Sequence, residues 1–290
     1  MTETTQEFKP VLEGRAFISE RLARSEPSRE QSTFHALNIL ARELTVKLQH
    51  DIDTERLVEL TETGIARWMA QRDELNELSE SRLSQSYGLV NHFSDDAVIF
   101  WWRRRPFYSP SKKQLEFREE LECTIPHEVT LEPLLNVFSQ ISSYFQADYS
   151  YTYNLTLRNL HGRAMRGYER ALAKRPPEEH RRFLKPDPYE GVTDNLPPLL
   201  LSDEFDRLRV PDGVWWINYW SPLQVETVGI ERIRTANWAR LIELPNGGAT
   251  LAVTEEAFDV TNPAHMARLG EIVEHLQLRQ LQEHYRIQRD

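Results

Sequence analysis

The sequence predicts an α+β fold of antiparallel sheets with packed helices, and three observations carry that reading. Apolar or alternating runs of strand length recur at AVIFWW (97–102), QLEFREELECTI (114–125) and VWWINYW (214–220). The order strand, strand, helix, strand between 97 and about 155 is half of a ferredoxin-like unit. A Trp-rich strand, a helix, a hairpin and a closing helix then follow in the last quarter of the chain.

Taken in order, residues 11–26 read as a short amphipathic helix. Residues 34–50 satisfy two periods. Leu37, Leu40, Leu44 and Leu48 are spaced helically, whereas Leu44, Val46 and Leu48 alternate as in a strand. Thr54 is placed to cap a long helix reaching about Gln85, with Leu57, Leu60, Ile65, Trp68, Leu75 and Leu78 near one face. A mainly helical region is therefore expected over 1–95.

The next stretch, 96–189, reads as the ferredoxin-like α+β part. The 97–102 and 114–125 runs form a hairpin with a long loop, Thr130 caps a helix to about Ala147, and DYSYTYNL supplies an aromatic strand. A basic helix is expected from about Thr156 to Lys174. Seven prolines between 176 and 213 then exceed what helix interiors tolerate, so this stretch reads as a long connector. In the C-terminal part, 190–290, strand 214–220 leads into a helix with Ser221 as N-cap and Pro222 at its first position. A hairpin turned at Asn246-Gly247 and a helix from Asn262-Pro263 past Leu276 complete it. Strand alternation sends Trp216, Asn218 and Trp220 to one face and Trp215 and Tyr219 to the other. The last two parts are able to form one compact domain.

Charge narrows the function. The chain carries 35 Lys+Arg against 45 Asp+Glu, a formal net charge of −10. The surplus is uneven: residues 1–95 are at −6, 96–189 at +3 and 190–290 at −7. Nonspecific nucleic-acid binding draws its affinity from cations that neutralise phosphates, so an acidic chain is poorly suited to it and better suited to a cationic partner. No apolar run approaches bilayer length. The lone Cys123 cannot form an internal disulfide, and the start MTETTQEFKPVLEG lacks the basic and apolar regions of a secretory leader. A reducing cytoplasm is the expected location.

Motifs of chemistry are missing or incomplete. No GxG occurs, which disfavours dinucleotide binding. Gly162 and Gly167 have the spacing of a phosphate loop, but Tyr168 and Glu169 replace its Lys and Ser/Thr. His127-Glu128 opens like a zincin helix, yet Leu131 holds the place of the second histidine. Cys123 sits at an apolar phase of a strand, as a small buried hydrophobe does. No catalytic residue, metal or cofactor is expected. The run Trp101-Trp102-Arg103-Arg104-Arg105-Pro106-Phe107-Tyr108 offers cations and stacking faces, and it motivates an alternative reading as an RNA-binding module over 97–175. A metal-dependent hydrolase using Asp51/Asp53/Glu55 or Asp203/Glu204/Asp206 is a further alternative.

Residues 211–276 carry a Trp-rich strand ending in Trp-Ser-Pro, a helix, a Trp-Ala-Arg strand, a Gly-Gly hairpin, Thr-Glu-Glu-Ala-Phe-Asp, then Asn-Pro and a closing helix. This pattern resembles the C-terminal half of the immunity protein 52 family of bacterial polymorphic-toxin systems. The resemblance implies an α+β protein, not an enzyme, that binds and silences a cognate secreted toxin. Such toxins are often delivered by a type VI secretion system, and the relevant kind is a DNase of restriction-endonuclease fold. A DNase must present cations to DNA, and an acidic inhibitor is steered onto that same face. Candidate toxin contacts are Asp203, Glu204 and Asp206 on the connector, and Glu243, Glu255, Glu256 and Asp259 around the hairpin. Neither nucleic acid nor membrane is an expected partner, and the interface is expected to draw on 190–290.

Overall fold

The computed structural model describes residues 18–22, 27–77, 84–93, 98–109, 114–125, 129–152, 199 and 204–287. They form, in order, β1 (Ile18–Leu22), α1 (Arg29–Leu44), β2 (His50–Asp51), α2 (Glu62–Glu77), β3 (Gln85–Val90), β4 (Ile99–Ser109), β5 (Gln114–Cys123), α3 (Leu131–Phe145) and β6 (Tyr149–Tyr151). The C-terminal part adds β7 (Ile217–Trp220), α4 (Pro222–Val228), α5 (Ile230–Thr235), β8 (Arg240–Glu243), β9 (Ala249–Ala252), α6 (Pro263–His275) and α7 (Leu278–His284). The fold is α+β. Its strands join in one antiparallel sheet of order β2-β3-β4-β5-β1-β6-β7-β9-β8. The expected basic helix and the proline-rich connector lie outside the described residues.

The ββαβ element is present with one addition. β4 and β5 pair from Phe100 opposite Cys123 to Ser109 opposite Gln114. β1 is antiparallel to both β5 and β6, so Ser19 faces Leu121 on one side and Ser150 on the other. β5 and β6 therefore run parallel, joined by α3, with the N-terminal strand inserted between them. This corrects the helix expected over 11–26: residues 18–22 are extended, because two long-range ladders are available to ISERL and outweigh a weak helical pattern.

The helix expected from Thr54 also starts later. Thr61 caps α2, its hydroxyl accepting the Gly64 N–H at 3.0 Å. Asp51 Oδ1 instead takes the N–H groups of Asp53 (3.1 Å) and Thr54 (2.8 Å) together with the Thr54 hydroxyl (2.9 Å), folding 51–54 into a turn. The helix also stops at Glu77, and Gln85, where its end is expected, instead opens β3. The ambiguous stretch 34–50 resolves as helix to Leu44. Ser28 and Gln31 close a capping box at the start of α1, and Thr45 at φ 56° ends it.

Helices α1 to α3 cover one face. Trp68 of α2 meets Tyr87, which meets Trp102 at 5.2 Å between ring centroids. On α3, Ser142 is 2.7 Å from Ser150 and Ser139 donates to Thr250 at 2.9 Å. On the other face, Trp101 lies over Gly88, where an added Cβ would stand 2.5 Å from the indole and 2.7 Å from Ile52. Gly88→Ala should therefore destabilise the protein by about 1–3 kcal/mol, the usual cost of overpacking, measured by urea unfolding.

The C-terminal elements follow the sequence closely. The Ser221 hydroxyl accepts the Gln224 N–H at 3.4 Å with Pro222 at the first turn of α4, and Gly247 holds φ +87° in the β8–β9 turn. Asn262 accepts the Ala264 N–H at 3.0 Å and opens α6. That helix stops at His275, and Gln277 at φ 51° breaks the chain before α7. Trp215 departs from the expected alternation. Asn218 folds back, its Oδ1 accepting the Trp215 N–H at 2.9 Å and its amide donating to the Trp215 carbonyl at 2.7 Å. Trp215 consequently stacks on Tyr151 at 4.9 Å, on the face that carries Asn218 and Trp220. Among the described residues, no helix is long and apolar enough to cross a membrane.

Candidate interaction surface

The candidate acids fall into two groups, one beside the 285–287 segment and one around the β8–β9 hairpin and the start of α6. Glu204 and Asp206 fasten the returning connector to α7. The Glu204 carbonyl accepts the Ile287 N–H at 2.9 Å and its carboxylate lies 3.5 Å from Arg286. Asp206 donates its N–H to the Tyr285 carbonyl at 3.0 Å and pairs with Arg209 at 3.5 Å. Both carboxylates anchor chain as well as carry charge. Asp203 lies outside the described residues.

The second group surrounds β8, the strand that ends the sheet on this side. Glu243 takes a bidentate pair of hydrogen bonds from Arg234, each 2.8 Å, and Arg234 also reaches Glu231 at 2.6 Å. Those hydrogen bonds hold the Glu243 carboxyl below its ordinary value and push the Arg234 guanidinium further up. Glu255 is 3.3 Å from Arg240. Glu256 faces Nε2 of the buried His265 at 2.9 Å, a hydrogen bond that lowers its carboxyl. His265 Nδ1 accepts the Asp259 N–H at 3.0 Å, which assigns the ring proton to Nε2. Asp259 in turn accepts from the Thr261 N–H (2.8 Å) and hydroxyl (2.7 Å).

The useful distinction is between compensated and uncompensated charge. Every cation in 204–287 is an arginine, and each of the eight is engaged within the chain. Arg207, Arg209, Arg234, Arg240, Arg279 and Arg286 meet carboxylates. Arg232 donates to the Leu276 carbonyl at 3.1 Å, and Arg268 to the Val253 carbonyl at 3.3 Å. Of the twelve acids in the same stretch, Glu226, Asp259, Glu271 and Glu274 have no ion pair among the described residues. Glu271 is tied to β8's approach through Asn237, whose amide donates to it at 3.3 Å. Three of these four were missed from sequence. Glu271 and Glu274 sit three residues apart on the outer side of α6, a spacing that a helical wheel of the closing helix reveals.

The basic-aromatic run is differently placed. Trp102 is fully buried, Arg103 pairs with Glu122 and stacks on Trp101 at 4.9 Å, Arg105 is 3.7 Å from Glu120, and Arg104 lies over Phe117 at 4.5 Å. These guanidinium groups are neutralised or stacked by β5 itself, and the side chains of Phe107 and Tyr108 lie outside the described residues. Cys123 is buried, and burial together with the Glu122 charge pushes its thiol up to about 12. Among the described residues, no group of three or more His, Cys, Asp or Glu side chains is arranged to hold a metal ion. The turn at Asp51, Asp53 and Glu55 is occupied by hydrogen bonds and by Arg72.

No protein-family model matches the chain, and no curated protein matches it. Among solved structures it is similar to a T6SS protein of Pseudomonas aeruginosa, with a TM-score of 0.48 and 11% sequence identity over 91% of this chain and 73% of that one.

Proposed function

We propose that this chain is an immunity protein that binds and neutralises a cognate secreted nuclease toxin of DNase type, acting in the cytoplasm of the producing bacterium and working by binding rather than catalysis. The observation that supports it best is the charge pattern over 204–287: all eight arginines are engaged within the chain, and the four acids without an ion pair among the described residues, Glu226 on α4, Asp259 before α6, and Glu271 and Glu274 on α6, leave the unpaired charge anionic. Such a surface attracts a protein whose own working face is cationic, chiefly by raising the association rate and by rejecting acidic partners. The resemblance in 211–276 supports the same reading, since its marks coincide with elements that frame this surface: Trp-Ser-Pro ends β7, Gly-Gly turns the β8–β9 hairpin and Asn-Pro opens α6.

Co-expression tests it. The product of the adjacent gene, expressed alone in a susceptible host, is expected to arrest growth, and this chain supplied in trans is expected to restore it. A neighbour that is harmless alone, or arrest that persists beside soluble chain, counts against the proposal.

A further inference from the structure

Tyr149 on β6 and Gln224 on α4 are both more than nine-tenths buried, and each ends in a polar atom that has no hydrogen-bond partner, Tyr149 Oη and Gln224 Oε1. The Gln224 amide nitrogen donates to the Arg207 carbonyl at 2.9 Å, which fixes the other amide atom as the acceptor. Both side chains line one cavity of about 10 Å³, together with Arg207, Asp212, Gly213 and Asn218. That space is about one water molecule in size. Two residues that end in an unpartnered hydroxyl donor and an unpartnered carbonyl acceptor thus line one cavity without a hydrogen bond between them.

We propose that this cavity is an internal water site. The water accepts the Tyr149 O–H and donates to Gln224 Oε1. Neutral solvent fits where an ion does not. The Arg207 guanidinium stands 4.8 Å from the Tyr149 ring and 3.7 Å from Asp212, so charges of both signs border the cavity and either kind of ion would meet a like charge. The bridge joins three segments: β6, the 204–213 return of the chain, and α4. It thereby holds the start of the Trp-rich unit onto the sheet, beneath the stack of Tyr149, Tyr151 and Trp215.

A high-resolution crystal structure of the full chain tests it, paired with one of Tyr149→Phe. The expected result is a solvent peak within hydrogen-bond distance of both Tyr149 Oη and Gln224 Oε1 in the parent, absent or displaced in the variant. A direct Tyr149–Gln224 hydrogen bond, or a peak unmoved by Tyr149→Phe, overturns it. A double-mutant cycle with Gln224→Met gives an independent reading in solution. Coupling between two side chains that share no direct hydrogen bond supports the bridge, and strictly additive midpoints in urea contradict it.

Discussion

Replacing Trp220 by alanine should lower the unfolding free energy by about 3–5 kcal/mol, the range for truncating a buried aromatic in a core that cannot collapse around the loss. Trp220 is 2% exposed and ends β7, where its backbone pairs with Tyr149 on one side and Ala249 on the other. Its ring meets Trp238 edge-on at 5.7 Å, and the Trp238 indole is fixed by a 3.0 Å hydrogen bond to the Ile233 carbonyl of α5. Removing Trp220 therefore empties the space between sheet and helices and frees a second aromatic. Urea unfolding should show a lower midpoint with an unchanged slope. A loss below 1 kcal/mol would mean that the C-terminal helices repack.

The second large effect is at Asp51. This carboxylate is 2% exposed and takes the Trp68 indole N–H at 2.5 Å, two backbone N–H groups and the Thr54 hydroxyl, with Arg72 at 3.8 Å. Burial alone would raise its pKa, but the hydrogen bonds from Trp68 and Thr54 and the Arg72 charge outweigh burial and hold it below the usual carboxylate value. Asp51→Ala strands these donors and should cost about 3 kcal/mol at neutral pH. The pH dependence has a definite sign. A carboxyl whose folded pKa is depressed stabilises the protein fully above its unfolded value, about 3.9, and loses that contribution as pH falls through the folded value. The parent should thus steepen in acid sensitivity below about pH 4, and Asp51→Asn should lack that component. Parallel acid limbs for the two proteins would show that Asp51 is not held in its ionised form.

Local signals were legible where they are local in cause. Ser221-Pro222, Asn262-Pro263 and Gly247 each set a cap or turn through their own chemistry, and all three stand where the sequence places them. β1 was not legible, because ISERL is extended only by virtue of β5 and β6, which lie far away in sequence. Thr54 failed as a cap because its N–H and hydroxyl are both donated to Asp51, which folds 51–54 into a turn, and Trp215 left its face because Asn218 bends the chain before β7. The candidate surface divides in the same way. Acidity over 190–290 is visible in composition, but which carboxylates are spent on arginines depends on partners such as Arg234 and Glu243, brought together by folding. The spacing of Glu271 and Glu274 is visible on a helical wheel, but that neither has an ion pair among the described residues emerges only once folding has set the other pairs.

The most direct measurement is DNA cleavage by the purified product of the adjacent gene, titrated with this chain. Cleavage is expected to be abolished at one chain per enzyme. A variant carrying Glu226→Lys, Glu271→Lys and Glu274→Lys, folded by circular dichroism, is expected to associate at least tenfold more slowly at low salt, in keeping with electrostatic steering. Cleavage that continues undiminished in a molar excess of folded chain would refute inhibition by binding.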